Sequence, residues 1–186
     1  KMGFEIAKSA ANLGAEVILI TGPTSQQIQH SFINRINVTT ALEMHEAVHK
    51  EYAHVDIAIL SAAVADYKPK NVATQKIKKA ANSLEIQLEP TKDILASLGT
   101  AKKKQFLVGF ALETNNEIEN AKDKLQRKNL DMIVLNSLQD KGAGFAKNTN
   151  KVTIIDADLN ETPFELKSKS DVANDIINHI LKKINA

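Results

Sequence analysis

VDIAILSAAVADYKPK, residues 55–70, begins as an apolar, β-branched run and ends in an acid and a proline. An apolar run of that length reads as a strand buried on both faces. Its side chains then shrink through Ala62, Ala63, Val64 and Ala65 before Asp66, Tyr67 and Pro69. Small residues at a strand end leave space for a ligand to approach the backbone. In open α/β sheets, ligands bind beyond the carboxyl ends of the strands. This stretch therefore suggests both a fold class and a place for a site.

Three further runs have the same strand character: EVILI (16–20), FLVGF (106–110) and DMIVLN (131–136). Helical patterns alternate with them. From Lys1 to about Leu13, the residues Met2, Ile6, Ala10 and Leu13 share one face, and Gly14 stops the helix. Residues 24–35 read as a polar loop and INVTT (36–40) as a short strand. ALEMHEAVHKEY (41–52) is an amphipathic helix with Thr40 as its cap. KIKK (76–79) and LEIQLE (84–89) suggest a hairpin across AANS. Thr91 is placed to cap a helix from Lys92 to about Leu98. Glu117 to Lys128 is a helix with Ile118, Ala121 and Leu125 inward. KVTIID (151–156) and PFELK (163–167) suggest a second hairpin. Ser170 is placed to cap a last helix bearing Val172, Ile176, Ile177, Ile180 and Ile184. The expected class is α/β: one domain over 1–186, a Rossmann-like parallel sheet flanked by helices, with two added hairpins. Such an architecture normally opens on a strand, so a first strand and its Gly-rich turn are expected upstream of Lys1.

The 186 residues carry a formal charge of +2, which implies no bulk attraction to nucleic acid or membrane. Aromatics make up 4% and Trp is absent, which argues against a stacking platform for single strands. The absence of Cys excludes disulfides, thiolate nucleophiles and Cys-ligated zinc, and fits a cytoplasmic setting. No apolar run approaches the roughly 20 residues of a membrane span.

Four strand-end segments should converge: Thr21-Gly22-Pro23, Ala62 to Asp66, Gly109 to Asn115, and Asn136-Ser137. Any one of them is explained by turn chemistry alone; together they favour a pocket. Lys124 and Lys128 share a helical face. Arg127 has Asp123 to pair with, whereas these two lysines have only each other. A like-charge pair at that spacing costs roughly 0.2–0.5 kcal/mol, and an anion between them reverses the sign. The competing reading is a solvated surface pair. Lys76, Lys78 and Lys79 read either as edge-strand protection against aggregation or as a mobile basic flap. Lys102, Lys103 and Lys104 read as solvated surface. His45 and His49 lack a third ligand, so no metal site is assigned. There is no G-x-G-x-x-G, Walker motif or triad spacing. An NAD-dependent oxidoreductase and a non-catalytic module of the same fold stand as alternatives.

SAAVADYKP, KIKK, PTKDIL, VGFALETN and KLQRKNLDMIVLN together resemble bacterial phosphopantothenoylcysteine synthetase, and the resemblance covers nearly the whole chain. KMGFEIA and TALEM match as well. The resemblance implies a ligase of coenzyme A biosynthesis. It would join 4′-phosphopantothenate and cysteine through an acyl-cytidylate made from CTP, with Mg2+ or Mn2+ accompanying the nucleotide. It implies that Lys76 supports catalysis and contacts the triphosphate, with Lys78 and Lys79 in the same flap. Asp66, Glu89, Pro90, Thr91, Lys92, Phe110, Lys124 and Lys128 would line the CTP site. Ala62 and Ala63 would meet phosphopantothenate through their backbone. A homodimer is implied, with the hairpins at the contact, and FMN only if a decarboxylase domain is fused upstream. The family's catalytic asparagine and substrate-phosphate arginine precede KMG. No nucleic-acid or membrane partner is expected.

Overall fold

A computed structural model describes residues 1–77, 85–113, 115–137 and 148–185. In chain order the elements are α1 (Met2–Asn12), β1 (Val17–Thr21), β2 (Ile33–Asn37), α2 (Ala41–Tyr52), β3 (Ile57–Leu60), β4 (Tyr67–Pro69) and β5 (Leu88–Pro90). There follow α3 (Ile94–Ala101), β6 (Phe106–Glu113), α4 (Glu117–Arg127), β7 (Met132–Ser137), β8 (Thr149–Asn150), β9 (Val152–Asp156), β10 (Glu161–Pro163), β11 (Lys167–Ser168) and α5 (Lys169–Ile184).

Three of the four apolar runs lie side by side and parallel, as β3, β6 and β7. The whole sheet has the order β10-β9-β7-β6-β3. It is mixed rather than purely parallel, because β9 joins β7 antiparallel and β10 continues outward from β9. The second predicted hairpin is thus no free-standing ribbon. Val152, Ile154 and Ile155 are fully or almost fully buried, so β9 is an interior strand whose apolar residues serve both faces. Its partner strand also comes earlier than PFELK, at Glu161–Pro163. β8 and β11 form a small antiparallel pair.

Alternation along the strands divides the core in two. Leu107, Ala111, Ile133, Leu135 and Ile155 face a layer made by α2, α3 and α4. Val108, Met132, Val134, Val152 and Ile154 face α1 and α5. Successive strand residues point to opposite faces, so a strand covered on both sides must be apolar throughout.

The fourth run, β1, pairs with β2 in a separate parallel two-stranded sheet. β2 begins three residues before the predicted INVTT. Thr39 and Thr40 are drawn instead into the start of α2: both backbone N–H groups donate to Glu43 Oε2, and Thr40 Oγ1 accepts from Glu43 N. This capping box satisfies donors that a strand would have used. α1 ends as expected, with Gly14 at φ +89°. Two other caps differ from expectation. Asp93, not Thr91, caps α3, and Ser168, not Ser170, caps α5. Lys102 is mostly buried and paired with Asp131 rather than solvated, whereas Lys103 and Lys104 are exposed as expected, Lys104 facing the exposed Asp56. No helix among the described residues is long and apolar enough to cross a membrane.

Asp156 shows how the far edge is held. It is 4% exposed. It accepts from Asp158 N, Asn160 N and Asn160 Nδ2 at 2.9–3.1 Å, and from Lys183 Nζ of α5 at 2.5 Å. Burial alone would raise its carboxyl, but the bonds from Lys183 and Asn160 outweigh burial and hold it below the usual range. A carboxyl lowered by folding stabilises above its unfolded value of about 3.9 and loses that contribution as pH falls through the folded value. Asp156→Asn is therefore expected to be less stable near neutrality and to lose less stability on acidification. Urea midpoints across acidic pH check this; parallel curves for wild type and variant would exclude the linkage.

Candidate active site

The taper after β3 is zipped to the segment leading into α3. Thr91 N donates to the Asp66 carbonyl at 2.8 Å, and Thr91 Oγ1 donates to the Ala65 carbonyl at 2.6 Å. From there a two-stranded ribbon extends, with Tyr67, Lys68 and Pro69 opposite Pro90, Glu89 and Leu88. The end of the second strand of the first predicted hairpin is seen in LEP, which pairs with YKP; the turn of that hairpin, with half of KIKK, lies outside the described residues. Pro69 and Pro90 are tolerated because the ribbon stands apart from the main sheet. Lys76 is exposed beyond β4. Lys78 and Lys79 lie outside the described residues.

Thr91 is thus a tether, and its hydroxyl is spent on Ala65. The chain turns into α3 two residues later. Asp93 Oδ1 accepts from Ala96 N at 2.9 Å, while Asp93 Oδ2 accepts from Lys128 Nζ at 2.6 Å. Lys124 Nζ donates to the Phe110 carbonyl at 2.9 Å. β3 ends at Leu60, opposite Gly109, so the next carbonyl along β6 is open to a side chain from α4. Lys124 and Lys128 therefore do not have only each other. Helical spacing showed their mutual repulsion and missed both partners, which come from elsewhere in the fold. Arg127 does pair with Asp123 as expected, at 3.4 Å.

The electrostatics follow from this geometry. Burial pushes the Lys124 ammonium below the usual lysine range; Lys128 adds repulsion, and Glu113 and Asp93 offset part of it. Burial would raise the Asp93 carboxyl, but the bonds from Lys128 and Ala96 outweigh it, so the group is held below the usual carboxylate range. An anion placed here meets one desolvated cation and one already paired.

The packing that fixes this arrangement is tight. A Cβ on Gly99 would fall 1.9 Å from the Lys128 carbonyl oxygen. Asn129, in the left-handed region at φ +53°, donates Nδ2 to the Gly99 carbonyl at 2.9 Å. The middle of α3 thus sits directly on the end of α4. On the other side of the taper, a Cβ on Gly3 would fall 2.8 Å from Ser61 Oγ, so the first turn of α1 abuts the end of β3.

The structure therefore brings Asp66, Thr91, Lys124, Lys128 and the Phe110 carbonyl into one chain of contacts. Ala62 and Ala63 are exposed at the taper. The other residues of the expected lining have these surroundings. The Phe110 ring packs with the cluster beneath α1 and α5. Glu89 is engaged by Lys68 at 3.1 Å. Lys92 is exposed. The residue missed from sequence is Asp93. An acid just before an apolar helical run is a capping signal, but its bond to a lysine far along the chain is not readable from spacing. Asn136, at the end of β7, and Asn150 carry buried Oδ1 atoms without hydrogen-bond partners. Among the described residues no group of three or more His, Asp or Glu side chains could hold a metal ion by itself.

The family model described as DNA/pantothenate metabolism flavoprotein C-terminal domain matches residues 1–184. The chain belongs to this family. It is similar to the crystal structure of the C-terminal domain of coenzyme A biosynthesis bifunctional protein CoaBC. The TM-score is 0.83 and the identity 40%, covering 99% of this chain and 82% of that one. It is 44% identical over 180 residues to the bifunctional CoaBC of Bacillus subtilis (strain 168), covering 97% of this chain and 44% of that protein. It is 54% identical over 182 residues to a cysteine/cysteine sulfinic acid decarboxylase of an unknown prokaryotic organism, covering 97% of this chain and 51% of that protein. The chain spans about half the length of these curated relatives. The α/β architecture expected from the strand runs is the architecture of this family's CoaBC domain.

Proposed function

We propose that the chain performs the synthetase reaction of coenzyme A biosynthesis, joining 4′-phosphopantothenate to cysteine at the expense of CTP. The observation that carries the proposal is the lysine pair of α4, set beside the taper and the Thr91 tether in a domain 40% identical to that of CoaBC. The substrate carboxylate attacks the α-phosphorus of CTP; the bond to the bridging oxygen breaks, and pyrophosphate leaves. The cysteine amine then attacks the acyl carbon, CMP leaves with the electron pair of the C–O bond, and the amine loses a proton. No protein nucleophile is required. Such chemistry depends on positioning and on donors aimed at developing negative charge. Lys124 and Lys128 suit the nucleotide, and Lys76 suits the triphosphate from the arm. Ala62 and Ala63 leave backbone open to the pantothenate end.

A Mg2+ or Mn2+ ion fits this site as a companion of the nucleotide. Such ions take most of their ligands from phosphates and water, with one or two protein carboxylates. Asp66, exposed at the taper, would supply one such carboxylate; when bound, the ion would neutralise phosphate charge. An FMN-bearing decarboxylase half belongs to the proposal only for a longer chain, as in the bifunctional relatives. The name of the 54% identical relative applies to a protein about twice this length.

The β4–β5 arm suits the contact of a cytoplasmic homodimer. Tyr67, Val72, Ile77, Ile86 and Leu88 are all more than half exposed there, a concentration of apolar surface that favours a partner.

The full-length protein tests the reading. CMP release is expected only with CTP, phosphopantothenate and cysteine together, from a particle of twice the chain mass by light scattering. Selective NADH binding without CMP release would establish the oxidoreductase alternative. CTP binding without turnover would establish the non-catalytic one. A monomer of full activity would remove the dimer.

A further inference from the structure

We propose that Asp93 is a built-in competitor for Lys128. In the unliganded chain its carboxylate occupies the lysine, and an incoming polyphosphate must take the lysine away. The inference rests on the nucleotide-binding reading of this site and adds a selectivity element to it.

The two oxygens of Asp93 divide the work. One caps α3 through Ala96 N and the other holds Lys128 Nζ. The Lys128 side chain is only 12% exposed, while Asp93 is 49% exposed, so the carboxylate lies on the solvent side of the cation. The backbone beneath is fixed. α3 rests on the Lys128 carbonyl at Gly99, and Asn129 bonds back to Gly99. Asp93 cannot follow the lysine without giving up the cap. Lys128 therefore shares or gives up one ion pair when it forms another, and either weakens the first.

Partner exchange has a selective consequence. An orthophosphate ion gains Lys128 but meets the Asp93 carboxylate at close range. Its attraction to the lysine is offset by the lost pair and by like-charge repulsion. A triphosphate also engages Lys124, whose ammonium among the described residues is bonded to a neutral carbonyl, and so gains more than it displaces. The latch thus disfavours small anions and favours extended ones.

Asp93→Asn removes the charge and keeps a cap of equal rank, so α3 is expected to persist, with the melting temperature as control. In the full-length protein, calorimetric titration with CTP, inorganic tripolyphosphate and orthophosphate is expected to show all three tightening roughly three- to tenfold. Orthophosphate should gain most. The salt dependence should steepen, because Lys128 is then uncompensated before binding. The gain should vanish when Lys128→Ala is added, as a direct coupling requires. Weaker CTP binding in Asp93→Asn would overturn the latch and make Asp93 a ligand contact. Unchanged affinity and salt dependence would overturn it as well. Tripolyphosphate that tightens without any preference for CTP would keep the latch and overturn the nucleotide reading. Failure of wild type and variant to bind any of the three would overturn both.

Discussion

Gly99→Ala is expected to cost about 3 kcal/mol of stability, the upper end of what overpacking usually costs, and to weaken CTP binding at the same time. The added methyl would stand 1.9 Å from the carbonyl oxygen and 2.9 Å from the carbonyl carbon of Lys128. Both are backbone atoms, so no flexible side chain can yield. Either α3 lifts or the end of α4 shifts. α3 also carries Asp93 at its start and α4 carries Lys124, so either movement disturbs the lysine pair. Urea unfolding at unchanged slope, with CTP titration of the same sample, measures both effects. A wild-type midpoint would show that the close approach is relieved at no cost. Normal CTP affinity in a destabilised variant would separate the packing from the site.

Lys76→Ala is expected to slow acyl-cytidylate formation roughly a hundred- to a thousandfold, the range for losing one preorganised donor to developing oxyanion charge. Stability should stay within about 0.5 kcal/mol, as for exposed positions generally, since Lys76 is exposed on the arm. The contrast is the point of the experiment: a catalytic loss without a folding loss. Single-turnover quench of the first half-reaction reads the step directly. A wild-type rate there would remove Lys76 from the mechanism and leave the nucleotide to the α4 lysines alone.

Features set by near neighbours were legible in the chain. α2 follows from its capping box and stripe, whose partners lie within four residues of each other. α4 follows from Ile118, Ala121 and Leu125 at helical spacing. Both predicted caps that failed did so within two residues of the true ones. At Thr91 the hydroxyl had a better partner in the Ala65 carbonyl, which no local pattern announces. The pairing of LEP with YKP was not expected, for a related reason. Tyr67–Pro69 lies next to the Thr91 tether, a contact between distant parts of the chain that sets the register.

The candidate site divides in the same way. Its proposed location at the strand ends rests on small residues after apolar runs, which leave backbone open to approach. The proposed lining comes from the family-like motifs. The pairing of Lys128 was not readable, nor was the role of Asp93, 35 positions away.

By itself the sequence determined that β3, β6 and β7 are buried apolar strands, that amphipathic helices cover them, and that a taper at Ala62 to Asp66 opens the sheet's rim. Those properties depend on side-chain type and on spacings of two, three or four residues. Only the tertiary structure decided that β9 enters the central sheet, that α3 rests on the end of α4 at Gly99, and that Lys128 is held by Asp93. Burial and charge compensation act through space, between groups that the chain order leaves far apart.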